Sequence, residues 1–134
     1  MLNLWRPAQI LIVEDETFIA LMLQHELESA GHQVLKIVSN LREGLQALNE
    51  CRPDLVLLDH NLGSETSLEI AANLNHLGVP YILCTAHKEI ATSTPTYRPV
   101  GSLDKPIDFE RLQALVALHA PVETEPAALS ASAA

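Results

Sequence analysis

The sequence predicts a doubly wound α/β domain, a five-stranded parallel sheet with helices on both faces. Five short apolar runs alternate with amphipathic stretches from end to end, at a repeat of roughly 20 residues, which is how strand–helix–strand crossover units read. The runs are continuously apolar rather than alternating, as in strands covered on both faces. The third run, Leu55-Val56-Leu57-Leu58, is the most apolar and therefore belongs at the centre.

Each element follows from local pattern. Ile10-Leu11-Ile12-Val13 is the first strand. From Thr17 to Ala30 the period changes: Ile19, Leu23, Leu27 and Ala30 fall on one helical face, and Gly31 supplies a C-terminal cap. Val34 to Val38 is the second strand, and Lys36 within it suggests a sheet edge. Asn40 and Glu43 form a capping pair for a helix with Leu41, Leu45 and Leu48 on one face, ended by Pro53. After the third strand, a loop with Asn61, Gly63 and Ser64 leads into a helix faced by Ile70, Leu74 and Leu77. Gly78 and Pro80 close it. Tyr81-Ile82-Leu83-Cys84 is the fourth strand. Lys88 to Pro99 carries Thr92, Ser93, Thr94, Pro95 and Thr96, so any helix there is short and irregular. Val100 to Leu103 is the fifth strand, and Asp108 caps a last helix faced by Phe109, Leu112 and Val116.

Composition removes several function classes. Hydrophobic residues are 48% of the 134 but aromatics only 4%, so the core is aliphatic. Eight basic residues against seventeen acidic ones give a net charge of −9. Binding to nucleic acid needs clustered Lys and Arg, which are missing, and an anionic membrane would repel this surface. No run approaches the roughly 18 apolar residues of a membrane span. Met1 to Pro7 lacks the charged and apolar regions of a signal peptide, so a cytoplasmic location is expected. Cys51 and Cys84 lie beside apolar runs without metal-ligand spacing and read as reduced, mostly buried thiols.

In a doubly wound sheet the ligand site forms at the carboxyl ends of the strands. There the chain places Glu14-Asp15-Glu16 after the first strand, Asp59 after the third, Thr85-Ala86 after the fourth and Asp104-Lys105-Pro106 after the fifth. Taken singly, Glu14 and Glu16 also read as acids favoured at a helix N-terminus, and Asp59 as a loop cap. Together they repel one another unless a cation sits among them. Oxygen-only ligands suit Mg²⁺, and a Lys ammonium and a Thr hydroxyl add the donors a phosphoryl group needs. A carboxylate nucleophile, a metal, a lysine and a hydroxyl describe phosphoryl transfer governed by positioning and charge neutralisation.

These residues, from Ile10 to Glu16, Pro53 to Asp59, Thr85-Ala86 and Lys105-Pro106, resemble in order and spacing the receiver family of bacterial two-component response regulators, over roughly residues 9 to 119. The resemblance implies the flavodoxin-like strand order 2-1-3-4-5. It implies that Asp59 accepts a phosphoryl group from a histidine kinase or histidine phosphotransfer protein, that Asp15 binds Mg²⁺ directly with Glu14 helping through water, and that the carbonyl of Asn61 completes the protein's ligands. Lys105 would pair with the phosphoryl oxygens and Thr85 would move to hydrogen-bond them. Asn61 and His87 occupy positions that tune hydrolysis in the family, although His87 also reads as a plain exposed side chain. Such a protein is a phosphoacceptor supporting its own phosphorylation and slow dephosphorylation, not an enzyme on a separate substrate. By analogy, the first helix and the loop from the fifth strand to the fifth helix would dock the kinase.

Residues 1–8 are then an N-terminal extension, 9–120 the receiver domain, and 121–134, rich in Ala, Ser, Glu and Pro, a disordered tail. With no output module in view, the expectation is a single-domain regulator acting through an unknown downstream protein. The alphaproteobacterial single-domain regulators have a similar Asp59-His60-Asn61-Leu62-Gly63 loop. The pattern departs from the family at Ser102, where a switch aromatic is usual three residues before the lysine, and Tyr97 has no spacing that marks it as a substitute. A non-phosphorylated pseudo-receiver would lack Asp59, Lys105 or the acidic pair, and all are present. A haloacid-dehalogenase-type phosphatase would carry a second Asp where Asn61 stands, and a dinucleotide-binding domain would need a glycine-rich turn after the first strand.

Overall fold

The computed structural model describes residues 7–119 and the backbone of residues 3–4 and 123–124. Five parallel strands form the sheet: β1 (Gln9–Val13), β2 (Gln33–Val38), β3 (Leu55–Asp59), β4 (Tyr81–Thr85) and β5 (Gly101–Asp104). Their order is 2-1-3-4-5, as expected. Between and after them run α1 (Thr17–Ser29), α2 (Leu41–Glu50), α3 (Leu68–Leu77), α4 (Ile90–Ser93) and α5 (Phe109–His119). The registers Val13↔Leu58, Asp59↔Cys84 and Thr85↔Asp104 bring the carboxyl ends of four strands level along one edge of the sheet.

Side chains alternate across each strand, and the sheet therefore divides the core into two layers. Val56 and Leu58 of β3 pack with Ala47, Leu48, Ile70, Ala71 and Leu74 from α2 and α3. Leu55 and Leu57 pack on the other face with Ala20, Leu23, Leu27, Leu112 and Val116 from α1 and α5. Every residue of β3 is buried, which fits its apolar run and its central position. Fully burying one such leucine contributes about 2 kcal/mol. Lys36 does lie on an edge strand, where it forms an exposed ion pair with Glu50 at 3.3 Å.

The helix ends follow their sequence signals. Asn40 Oδ1 accepts from Glu43 N–H at 2.8 Å, while Glu43 Oε1 reaches back to Ser39 N–H at 3.1 Å. Asp108 Oδ1 accepts from Glu110 N–H at 2.9 Å. Gly78 ends α3 with φ +73°, in the left-handed region that glycine adopts without a Cβ penalty. A Cβ on Gly44 would lie 2.5 Å from Ile70 Cδ1, so this glycine sets how closely α2 approaches α3.

Three expectations are corrected. The buried face of α1 is Ala20, Leu23 and Leu27, whereas Ala30 is exposed because the helix has ended. The fifth strand is Gly101–Asp104 rather than 100–103, and just before it the Val100 N–H donates across to the Tyr81 carbonyl of β4 at 2.9 Å. Cys51 is only half-buried, its thiol donating to the Ala47 carbonyl at 3.2 Å. The irregular stretch after β4 is confirmed: α4 is four residues long and buries none of them. Of the tail expected over 121–134, only Glu123–Thr124 is described; it pairs antiparallel with Asn3–Leu4, and the rest lies outside the described residues. No described helix is long and apolar enough to cross a membrane.

Candidate functional site

The loop leaving β1 places Glu14, Asp15 and Glu16 at the start of α1. Glu14 N–H donates to the Val38 carbonyl at 3.0 Å, which continues the ladder and turns the side chain inward. Its Oε2 then accepts from Glu16 N–H at 3.1 Å, and it is only 2% exposed. Asp59 ends β3 and is 4% exposed, while Asp15 beside them is exposed. Carboxylate oxygens of Glu14, Asp15 and Asp59 lie within 4.8 Å of one another.

One cation answers them from just past the end of β5. Lys105 Nζ donates to Asp59 Oδ2 at 3.0 Å and to Glu14 Oε1 at 3.2 Å. Its backbone N–H holds the Thr85 carbonyl at 3.0 Å, and the following Lys105–Pro106 peptide is cis. Three carboxylates against one ammonium leave the group short of positive charge. Burial first, and the charge of Asp59 second, push Glu14 up to about 7. Burial alone would lower Lys105, but its hydrogen bond and charge pairing with Asp59, then with Glu14, outweigh that and hold it above its usual range. Cys84, buried behind the group, is pushed up to about 12 by burial and by Asp59, and is no nucleophile.

Around this group lies an open hollow lined by Asp15, Glu16, Asp59, Asn61, Gly63, Ala86 and Lys105. Asn61 N–H approaches Asp59 Oδ1 at 3.4 Å, and a two-residue ladder, Asn61–Leu62 with Glu65–Thr66, stiffens the loop that carries it. Thr85 is 1% exposed, and its hydroxyl accepts from His87 N–H at 3.0 Å. Asp59, Glu14, Asp15, Asn61 and Lys105 are thus assembled at one point, with Thr85 next to it on a separate hydrogen bond. The His87 ring is exposed, 4.0 Å from Glu89, in keeping with the plain reading of that residue. Ser102 is half-buried, and its carbonyl receives Arg111 at 3.4 Å.

Sequence reasoning missed a polar trio beside Asp59, made of half-buried His60 and buried Ser67 and Tyr97. Its members are separated by 30 or more residues from Tyr97, so no local spacing could have linked them. The available signal was a lone tyrosine in a stretch otherwise poor in apolar residues.

Comparison with known proteins agrees with this geometry. The family model described as the response regulator receiver domain matches residues 10–117. A positive alginate biosynthesis regulatory protein of Pseudomonas aeruginosa is 35% identical over 126 residues, covering 90% of this chain and 51% of the relative. Among solved structures, the signal receiver domain of a modulated diguanylate cyclase from Desulfovibrio desulfuricans superposes with a TM-score of 0.74 at 32% identity, covering 84% of this chain and 93% of the other. The response regulator TrrA from Thermotoga maritima, solved in complex with Mg²⁺-BeF, gives 0.74 at 26% identity over 83% of this chain and 97% of its own. The chain spans 51% of the length of that Pseudomonas aeruginosa relative and 24% of that of a luminescence regulatory protein of Vibrio campbellii. A carboxylate group gathered at the strand ends of a 2-1-3-4-5 sheet, within a match over most of the chain, places this protein in the receiver-domain family of two-component response regulators.

Proposed function

We propose that this receiver domain takes a phosphoryl group onto Asp59 from the phosphohistidine of a histidine kinase or phosphotransfer protein, and signals through contact with a further protein. The observation that carries this reading is the pairing of a 4% exposed Asp59 with Lys105 Nζ at 3.0 Å, inside a cluster of three carboxylates. A structural ion pair needs one carboxylate, and two more are a burden unless they serve a cation. In the transfer, an Asp59 oxygen forms the new P–O bond while the P–N bond breaks and the partner's imidazole leaves. Lys105 neutralises charge on the phosphoryl oxygens, and Asn61 N–H steadies the other Asp59 oxygen. The Thr85 hydroxyl would exchange His87 for the phosphoryl group.

The donor set fits Mg²⁺: all the groups are hard oxygens, and burial, with the charge of Asp59 second, already raises the Glu14 pKa. Asp15, Asp59 and the Asn61 carbonyl would hold the ion and Glu14 would help through water, while the ion supplies positive charge to the transferring oxygens. That the Thermotoga maritima relative was solved in complex with Mg²⁺-BeF supports a Mg²⁺ site in a domain of this fold. The kinase would dock where α1 leaves Phe18 74% exposed and Leu21 and Met22 beside it, next to the Pro106, Ile107 and Phe109 surface.

Intact-mass spectrometry after incubation with a small-molecule phosphodonor and Mg²⁺ tests the proposal. One phosphoryl group should be gained, only with Mg²⁺, and never by Asp59→Asn. If no phosphoryl is gained and beryllofluoride with Mg²⁺ also fails to bind, the domain is a non-phosphorylated interaction module.

A further inference from the structure

The trio beside the carboxylates has no part in the transfer just described. Tyr97, between α4 and β5, is only 4% exposed. Its hydroxyl lies 2.7 Å from His60 Nδ1 and 3.0 Å from Ser67 Oγ. The two rings meet edge to face, their centroids 5.5 Å apart. His60 directly follows Asp59, and its backbone is held on both sides: its N–H donates to the Cys84 carbonyl at 3.1 Å and its carbonyl accepts from Ser67 N–H at 2.9 Å.

The far end of this tether is otherwise lightly held. Helix α4 is four residues long; Ile90 and Ala91 rest half-buried on the core layer of α2 and α3, no residue is fully buried, and the anchors at its flanks carry much of its hold. Past α4, Asn75 Nδ2 donates to the Thr96 carbonyl at 2.8 Å and Arg98 N–H donates to the Tyr81 hydroxyl at 2.6 Å. Of these three anchors between α4 and β5, the Tyr97 hydroxyl is the one that reaches His60, the neighbour of Asp59 in the chain. A group added to Asp59 enters the hollow beside Lys105 and Asn61 N–H, the donors on its two oxygens, and both contacts must rearrange around it. The buried Tyr97 hydroxyl divides its bonds between His60 and Ser67, so a shift of His60 that Ser67 does not share changes how Tyr97 is held.

We propose that Tyr97 is a positioning residue: through its hydrogen bond to His60 it makes the arrangement of the stretch from α4 to β5 depend on what Asp59 carries. This rests on Asp59 as phosphoacceptor and adds the route by which its state leaves the site. Tyr81 supplies the control, because its hydroxyl anchors the same stretch without touching His60.

The experiment is amide NMR of the whole chain with and without beryllofluoride and Mg²⁺, in wild type, Tyr97→Phe, His60→Phe, the double variant and Tyr81→Phe. In wild type, Asn61 and Ala86 should shift together with residues 90–98. In Tyr97→Phe and His60→Phe, Asn61 and Ala86 should shift as before while the displacement over 90–98 shrinks by about threefold or more, and the double variant should lose no more than either single. Tyr81→Phe should keep the wild-type response. A full response over 90–98 in Tyr97→Phe overturns the proposal, as does an equal loss in Tyr81→Phe, which would make both tyrosines simple anchors. Absence of any shift at Asn61 and Ala86 in wild type overturns this proposal and the phosphoacceptor reading together.

Discussion

Replacing Glu14 with glutamine isolates the cost of crowding carboxylates at the strand ends. In the metal-free protein Glu14 holds its proton up to about 7, against an ordinary value of 4.5, because it is buried and faces Asp59. The folded state therefore binds that proton more tightly than the unfolded chain does. The stabilisation is full below about 4.5 and is lost as pH rises through about 7. A gap of about 2.5 pH units, at 1.36 kcal/mol each, amounts to about 3 kcal/mol. Glutamine carries no proton to lose, and its side-chain oxygen can still accept from Glu16 N–H. Urea unfolding in EDTA should show little difference between the proteins near pH 4.5. At pH 8 the variant should be more stable by about 3 kcal/mol, or roughly 2 M in urea midpoint for a domain of this size. His32, which burial lowers, titrates in both proteins and cancels in the comparison. A difference that stays constant between pH 4.5 and pH 8 would refute the reasoning.

The neighbouring groups give further expectations. Mg²⁺ should raise the Tm of wild type, more strongly as pH rises towards and past about 7, because the ion must displace the Glu14 proton; differential scanning fluorimetry reads this, and Asp15→Asn should remove most of the gain. Lys105→Met leaves two buried carboxylates without their ammonium and should cost about 3 kcal/mol at pH 8, but less at pH 5 where Glu14 is protonated. Equal losses at the two pH values in urea unfolding would contradict this. Asn40→Ala removes the cap on Glu43 N–H and should cost about 1 kcal/mol, with Asn40→Asp retaining most of it.

The sheet was legible because β1, β3 and β4 are apolar on both faces, a pattern that only central strands need. The edge position of β2 was legible from Lys36 for the converse reason. The carboxylates and Lys105 could be found because a doubly wound sheet sends its strand ends to one side, so four separate short signals point to one place. The buried face of α1 was harder: Ala20 packs inward and Ala30 does not, a choice set by where the helix stops rather than by its period. The link from Tyr97 to His60 was not legible at all. It joins residues 37 apart whose only shared property is the space beneath the end of β3.

Among the described residues, the two layers of the core form separate clusters on opposite faces of the sheet. Leu55 and Leu57 face one layer and Val56 and Leu58 the other, so neighbours in sequence belong to different packing problems. Volume lost in one layer cannot be refilled from the other without flipping a strand by one residue, which would turn its whole pattern inside out. Substitutions in opposite layers should accordingly combine additively, while those within a layer should show strong epistasis. The surface over α1 and α5 can then diverge to suit a new partner while the layer under α2 and α3 keeps its packing, so partner choice and the structural half of the molecule can evolve as separate modules.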